Sequence, residues 1–179
     1  MKRRERAAFT LIELLVVVAV MGILSALAIP TFRTVLMRSK TGEASANLSQ
    51  MFKAAAVYYT QERASQGQDG SLVVGCTVGG TGPVPLTPGV QKQPMPADPE
   101  FRALGFYVAE YVYYSYGLIP EGTGSACGNG ANDSTVYTLY AQGDLDGDSI
   151  FSNFELAVGS DQNNELFHAR GFYVEHELE

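Results

Sequence analysis

The pattern of apolar and polar positions changes abruptly near the start of the chain. Met1 to Ala8, MKRRERAA, carries four basic residues and one acid. From Phe9 to Ile29 the sequence is 21 residues of almost unbroken apolar character, closed by Pro30. One charge, Glu13, stands at its fifth position. As a helix this run is about 32 Å long, close to the ~30 Å hydrocarbon core of a bilayer. The basic tip then belongs on the cytoplasmic side, with the rest of the chain beyond the membrane. The run exceeds the apolar core of a secretory signal, and TFRTVLMRSK after Pro30 offers no small-residue exit site. A plain anchor fits the length but leaves Glu13 unexplained. A carboxylate at mid-bilayer costs about 2.5–3.5 kcal/mol, and less near an end.

Beyond Pro30 the pattern becomes helical and two-faced. Phe32, Val35 and Leu36 share a side; Leu48, Met51, Phe52, Ala55 and Tyr59 recur at spacings of three and four. Arg33, Arg38, Lys40, Glu43 and Lys53 lie between them. Span and amphipathic half together predict one helix ending near Ser65 or Gly67, with Pro30 as a kink and Gly42 as a second soft point. Asp69 to Glu100 holds six Gly and six Pro without apolar periodicity and reads as a long loop. Phe101 to Ile119 is rich in Tyr, Val and Phe and reads as a strand after a helical turn at 99–104. Thr135 to Gln142 alternates as a second strand, and Phe172 to Leu178 as a third. The expected fold is α+β: a long N-terminal helix packed on a three- to four-stranded antiparallel sheet.

The stretch AFTLIELLVVVAVMGILSALAIP resembles the N-terminus of type IV pilins and of the pseudopilins of type II secretion. The resemblance is strong over about 30 residues and general in architecture beyond them. It implies cleavage by prepilin peptidase between Ala8 and Phe9, and N-methylation of Phe9. It gives Glu13 the role of pairing with the free α-amine of a neighbouring subunit. Gly22 and Pro30 fall where the family often has helix-weakening residues, and Ala8 stands where it usually has Gly. Physical chemistry points the same way: a new α-amine, with a pKa of about 7.7–8.0, would neutralise a carboxylate held in lipid.

Charge and cysteine content refine the picture. The net charge is −7; a leader of net +3, once removed, leaves −10. An acidic exterior argues against nucleic acid as a partner of the folded part. Cys76 and Cys127 are an even pair in an exported domain and read as a disulfide. The chain shows no nucleophile with a paired base and no phosphate-cradling loop, so no enzymatic activity is expected.

One dense constellation remains. Asp144-Leu-Asp-Gly-Asp148-Ser-Ile-Phe-Ser-Asn-Phe-Glu155 matches the spacing of a twelve-residue calcium loop. Asp144, Asp146, Asp148 and Glu155 would supply carboxylates, Ile150 a carbonyl and Ser152 an oxygen through water. Ser149 occupies the usual Gly position, and a strand rather than a helix precedes the loop. A solvated Asp-Gly turn between strands is the alternative.

The expected organisation is a leader (1–8), a membrane or filament-core helix half (9–30), an amphipathic half (31–66) and a globular head (67–179). The function expected is that of a structural subunit of a type IV pilus, polymerising with itself. It starts as an inner-membrane precursor and ends in a filament that spans the periplasm or reaches the cell surface of a bacterium. A pseudopilin of type II secretion is the alternative of the same class. A monomeric membrane-anchored calcium-binding module, retaining Met1 to Ala8, is the alternative of another.

Overall fold

The computed structural model describes residues 9–64, 70–121 and 126–179. The leader Met1 to Ala8, and the positions Ser65 and Gly67, lie outside the described residues. Helix α1 is Leu11–Thr60 and includes Pro30. The chain forms two compact units, one running up to Leu36 and the other Met37–Glu179.

In the first unit the apolar side chains from Phe9 to Leu36 lie largely exposed, Leu11 at 83% and Leu27 at 69%. By length and composition this helix can cross a membrane. Thr31 Oγ1 donates to Leu27 O at 3.0 Å and Thr34 Oγ1 to Pro30 O at 3.1 Å. Two hydroxyls that follow the proline thus bond backwards onto the helix, and the proline itself has no N–H to give.

The second unit shows why the amphipathic half stays helical. Thr41, Ala44, Leu48, Met51, Ala55 and Tyr59 are buried at spacings of three and four. The apolar members of this stripe pack with Tyr114 and with Tyr116, Leu118, Leu139, Ala141, Leu156 and Val158 of the sheet. Each large apolar side chain removed from water contributes about 1.5–3 kcal/mol. The helix ends at Thr60, earlier than the pattern predicts. Arg63 explains the stop: its guanidinium lies 3.9 Å from the Tyr58 ring centroid and donates to Tyr58 O at 3.0 Å, satisfying a terminal carbonyl. The chain then pairs β1 (Arg63–Ala64) with β2 (Leu72–Val73).

The main sheet is wholly antiparallel and has six strands, more than the three or four expected. They are β3 (Thr81–Val84), β4 (Ser115–Pro120), β5 (Tyr137–Gly143), β6 (Ser152–Ser160), β7 (Leu166–His168) and β8 (Tyr173–Glu175). Their order is β3-β4-β5-β6-β7, with β8 also on β6. β7 covers Val158 to Ser160 and β8 covers Asn153 to Glu155 of β6. β3 lies inside the segment expected to be a structureless loop.

The stretch Phe101 to Ile119 is not one strand. It begins as α2 (Pro99–Leu104), the helical turn foreseen there. Asp98 caps this helix, accepting from Glu100 N and Phe101 N, and Gly105 ends it at φ 79°. Val112 then makes a bridge with Gln93, and the strand starts only at Ser115. A carboxylate on α1 takes the backbone in between. Glu43 Oε1 accepts from Tyr113 N at 2.8 Å and Tyr114 N at 3.4 Å.

Candidate functional site

Two places carry the chemistry foreseen in the sequence: the start of α1, and the turn after β5.

At the start of α1, Leu11 is the first helical residue, so Thr10 is the N-cap and Glu13 the third helical position. Glu13 N donates to Thr10 Oγ1 at 3.3 Å. Thr10 N donates to Glu13 Oε2 at 3.3 Å, and Thr10 Oγ1 to the same oxygen at 3.2 Å. This is a reciprocal capping box, which the spacing T-x-x-E signals in sequence and which the hydropathy argument passed over. It gives the carboxylate two donors within its own chain. It also turns Glu13 back toward Thr10, next to Phe9. Phe9 is 73% exposed and precedes the helix. Ala8, the other residue of the expected cleavage bond, is outside the described residues.

The turn after β5 brings together only part of the expected calcium ligand set. The ligand oxygens of Asp144, Asp146 and Asp148 lie within 4.8 Å of one another. Each carboxylate accepts a backbone N–H of the turn: Gly147 N on Asp144, Asp148 N on Asp146 and Ile150 N on Asp148. Ser149, in the position that usually needs Gly, has φ 71°, so the sharp left-handed turn is present without the glycine. Ser152 and Glu155 do not join this group. β6 starts at Ser152, and an extended chain carries the twelfth position away where a helix would bring it back. Ser152 Oγ is buried and donates to Glu179 O at 2.9 Å and Gly143 O at 3.3 Å. Glu155 faces Tyr140 and Tyr173 across the sheet and accepts from Asn153 Nδ2 at 2.5 Å. Ile150 is half exposed within the turn.

Several other polar groups of the head bind its parts to one another. Cys76 and Cys127 are joined in a disulfide, as the sequence predicts. Backbone bonds flank it: Thr77 N to Ala126 O at 2.7 Å, Gly128 N to Val74 O at 3.0 Å and Asn129 N to Gly75 O at 3.1 Å. Gly75 N reaches Tyr59 O at 2.9 Å, and Tyr59 Oη donates to Asn164 Oδ1 at 2.8 Å. The end of α1, the Gly-rich segment and the loop after β6 thus meet at one node.

Glu43 is a second node, missed in sequence because a lone acid on a helix reads as a solvated face. Besides the two backbone bonds it accepts from Tyr116 Oη at 3.3 Å and pairs with Lys92 Nζ at 3.4 Å. Burial pushes the Tyr114 hydroxyl up to about 12, with the charges of Glu43 and Glu177 adding to the effect. Burial first, and then the Glu43 charge, raises that of Tyr116 as well. Both phenols therefore stay protonated at physiological pH.

Comparison with known proteins bears on the first of these places. Residues 3–29 match the family model for the prokaryotic N-terminal methylation motif. Over 54 residues the chain is 46% identical to the type IV major pilin protein PilA of Myxococcus xanthus (strain DK1622). That stretch is 30% of this chain and spans 24% of the relative's length. No solved structure matches the chain. The likeness to a type IV pilin is thus concentrated in the N-terminal segment.

Proposed function

We propose that this chain is a structural subunit of a type IV pilus. It is inserted in the inner membrane through the Phe9–Ile29 segment, cut by prepilin peptidase between Ala8 and Phe9, and N-methylated on Phe9. It then polymerises with itself through α1. The observation that carries this reading is Glu13 at the head of an apolar, exposed helix, four residues from the amine that cleavage would create. Removing residues 1–8 removes a net charge of +3 and frees that amine. A neighbour displaced along the helix delivers its amine to Glu13, and the two charges neutralise each other in an apolar surrounding. Type IV pilins act as building units and not as catalysts, which fits a chain whose polar networks serve its own packing. The likeness to a major pilin favours a pilus over a secretion pseudopilus.

Intact mass measured on native material tests the reading. The expected result is a chain that starts at Phe9 and carries one extra methyl group. A mass that retains Met1 to Ala8 would restore the anchored-monomer alternative.

We also propose that Asp144, Asp146 and Asp148 bind calcium in the turn after β5, as a staple between β5 and β6. Three carboxylates this close repel one another, and a hard divalent cation would relieve them. With fewer protein oxygens than the full loop pattern supplies, binding belongs at the weak end for exported modules, about 10⁻⁴–10⁻³ M. Thermal melts in calcium and in chelator are the test. At ten times the Kd, calcium is expected to add about 1.4 kcal/mol of stability by mass action. Superimposable melts at 10 mM calcium (about ten times the top of that range) would leave a solvated Asp-Gly turn.

A further inference from the structure

Between β3 and β4 the chain makes a long excursion that closes on itself. Gln93 N donates to Val112 O at 2.9 Å, and Val112 N donates to Gln93 O at 2.8 Å. All of α2 lies inside this closure. The excursion is anchored from within. Phe101 and Phe106 are buried and meet edge to face, their centroids 5.2 Å apart and their rings at 75°. A connection of this length that is held shut and internally packed is more often functional than incidental.

Residues 95 to 107 of the excursion line a cavity of about 300 Å³. Such a volume is at the lower end for ligand sites, about 300–1,000 Å³. Met95, Phe101, Phe106 and Tyr107 give it mostly apolar walls, and Tyr107 is 68% exposed. Arg102 lines the same cavity. It is exposed, and its guanidinium has no hydrogen bond or ion pair among the described residues. The acids beside it are taken elsewhere. Asp98 stands four residues earlier, a spacing that favours an ion pair on a helix. Its Oδ1 instead accepts from Glu100 N and Phe101 N, and its Oδ2 from Thr81 Oγ1 at 2.9 Å. Glu100 Oε2 accepts from Gly79 N at 2.9 Å. An apolar hollow is thus left with one unpaired positive charge.

We propose that this cavity binds a small apolar monocarboxylate of the aryl-acetate kind. The ring fills the space between Phe101, Phe106 and Tyr107, and the carboxylate takes the planar fork of Arg102 through two parallel bonds. A neutral ring would leave the guanidinium unused. A phosphate would find a single charged donor and would meet the charge of Asp98, which also lines the cavity. The site lies wholly within the second unit and needs neither cleavage nor assembly of the chain.

The test is a titration of the full-length chain in detergent with phenylacetate, followed through backbone amide resonances. It is repeated with phenylacetamide, the uncharged analogue, and with the Arg102→Gln chain. Arg102 is exposed and without a partner among the described residues, so the variant should fold; unchanged resonances from β4, β5 and β6 check this. Partition of phenylacetate into detergent is the same for both chains, so a difference between them belongs to the site. The expected result is a saturable shift of residues 95–107 with a Kd of about 1 mM or tighter. Phenylacetamide, and separately the Arg102→Gln change, should each weaken binding about ten-fold or more. No saturable shift in this segment up to about ten times that concentration would overturn the site. Equal affinity for phenylacetamide, or for phenylacetate in the Arg102→Gln chain, would overturn the carboxylate and leave a merely apolar hollow.

Discussion

Glu13→Ala is expected to abolish filaments while the precursor still accumulates in the membrane. Glu13→Gln should do the same, and the comparison separates two roles. In the subunit, Glu13 accepts from Thr10 N and Thr10 Oγ1 as half of a capping box. A glutamine oxygen can accept both bonds, so the start of the helix survives; alanine loses them, at about 1 kcal/mol. Neither can neutralise an amine. If charge pairing drives assembly, both variants lose sheared filament by ten-fold or more, roughly 1.4 kcal/mol or beyond per subunit added. Normal filaments from Glu13→Gln, with loss from Glu13→Ala alone, would leave capping as the whole role of the residue and sink the pairing.

The double replacement Cys76→Ser and Cys127→Ser is expected to lower the stability of the head by about 4 kcal/mol. The bridge closes a loop with a sequence separation of 51, and the loop-entropy relation gives that value for such a length. The position strengthens the expectation. Cys76 is buried, and the backbone bonds on either side of the bridge tie residues 74–77 to residues 126–129. Gly75 passes the constraint to the end of α1 through Tyr59 O. Chemical denaturation of oxidised protein and of the double serine variant measures the effect. A change in stability below about 1 kcal/mol, with an unchanged slope, would mean that the flanking hydrogen bonds hold this loop without the bridge.

The parts legible in the sequence were those whose signal is local or periodic. The apolar run, the buried stripe from Leu48 to Tyr59 and the Cys pair needed no knowledge of the rest of the chain. The helical turn at 99–104 is local as well, with Asp98 capping its start, Pro99 at its first position and Gly105 at its end. The strands were harder. β6 is hidden because its first four residues, Ser152 to Glu155, double as the end of a calcium-loop pattern, which masks the alternation of Phe154, Leu156 and Val158. β3 consists of Thr81-Gly-Pro-Val84, residues with weak strand preference, and it exists because β4 offers it an edge. Glu43 was invisible because its backbone partners are about 70 residues away in sequence. For the same reason Phe101 to Ile119 looked like a single strand. Nothing in the Tyr-rich run reveals that a distant carboxylate takes its amide groups at Tyr113 and Tyr114.

β6 has nine residues, and on its outer side it is covered by two separate three-residue strands. A subunit of the proposed kind spends its working life at a local concentration far above that of a free protein. Under such crowding a long open strand edge would be a template for the edge of the next copy, and heads would exchange strands or aggregate. Two short lids, β7 on Val158 to Ser160 and β8 on Asn153 to Glu155, leave no such template on this side of the sheet. In such a filament the heads could be packed densely without exchanging strands.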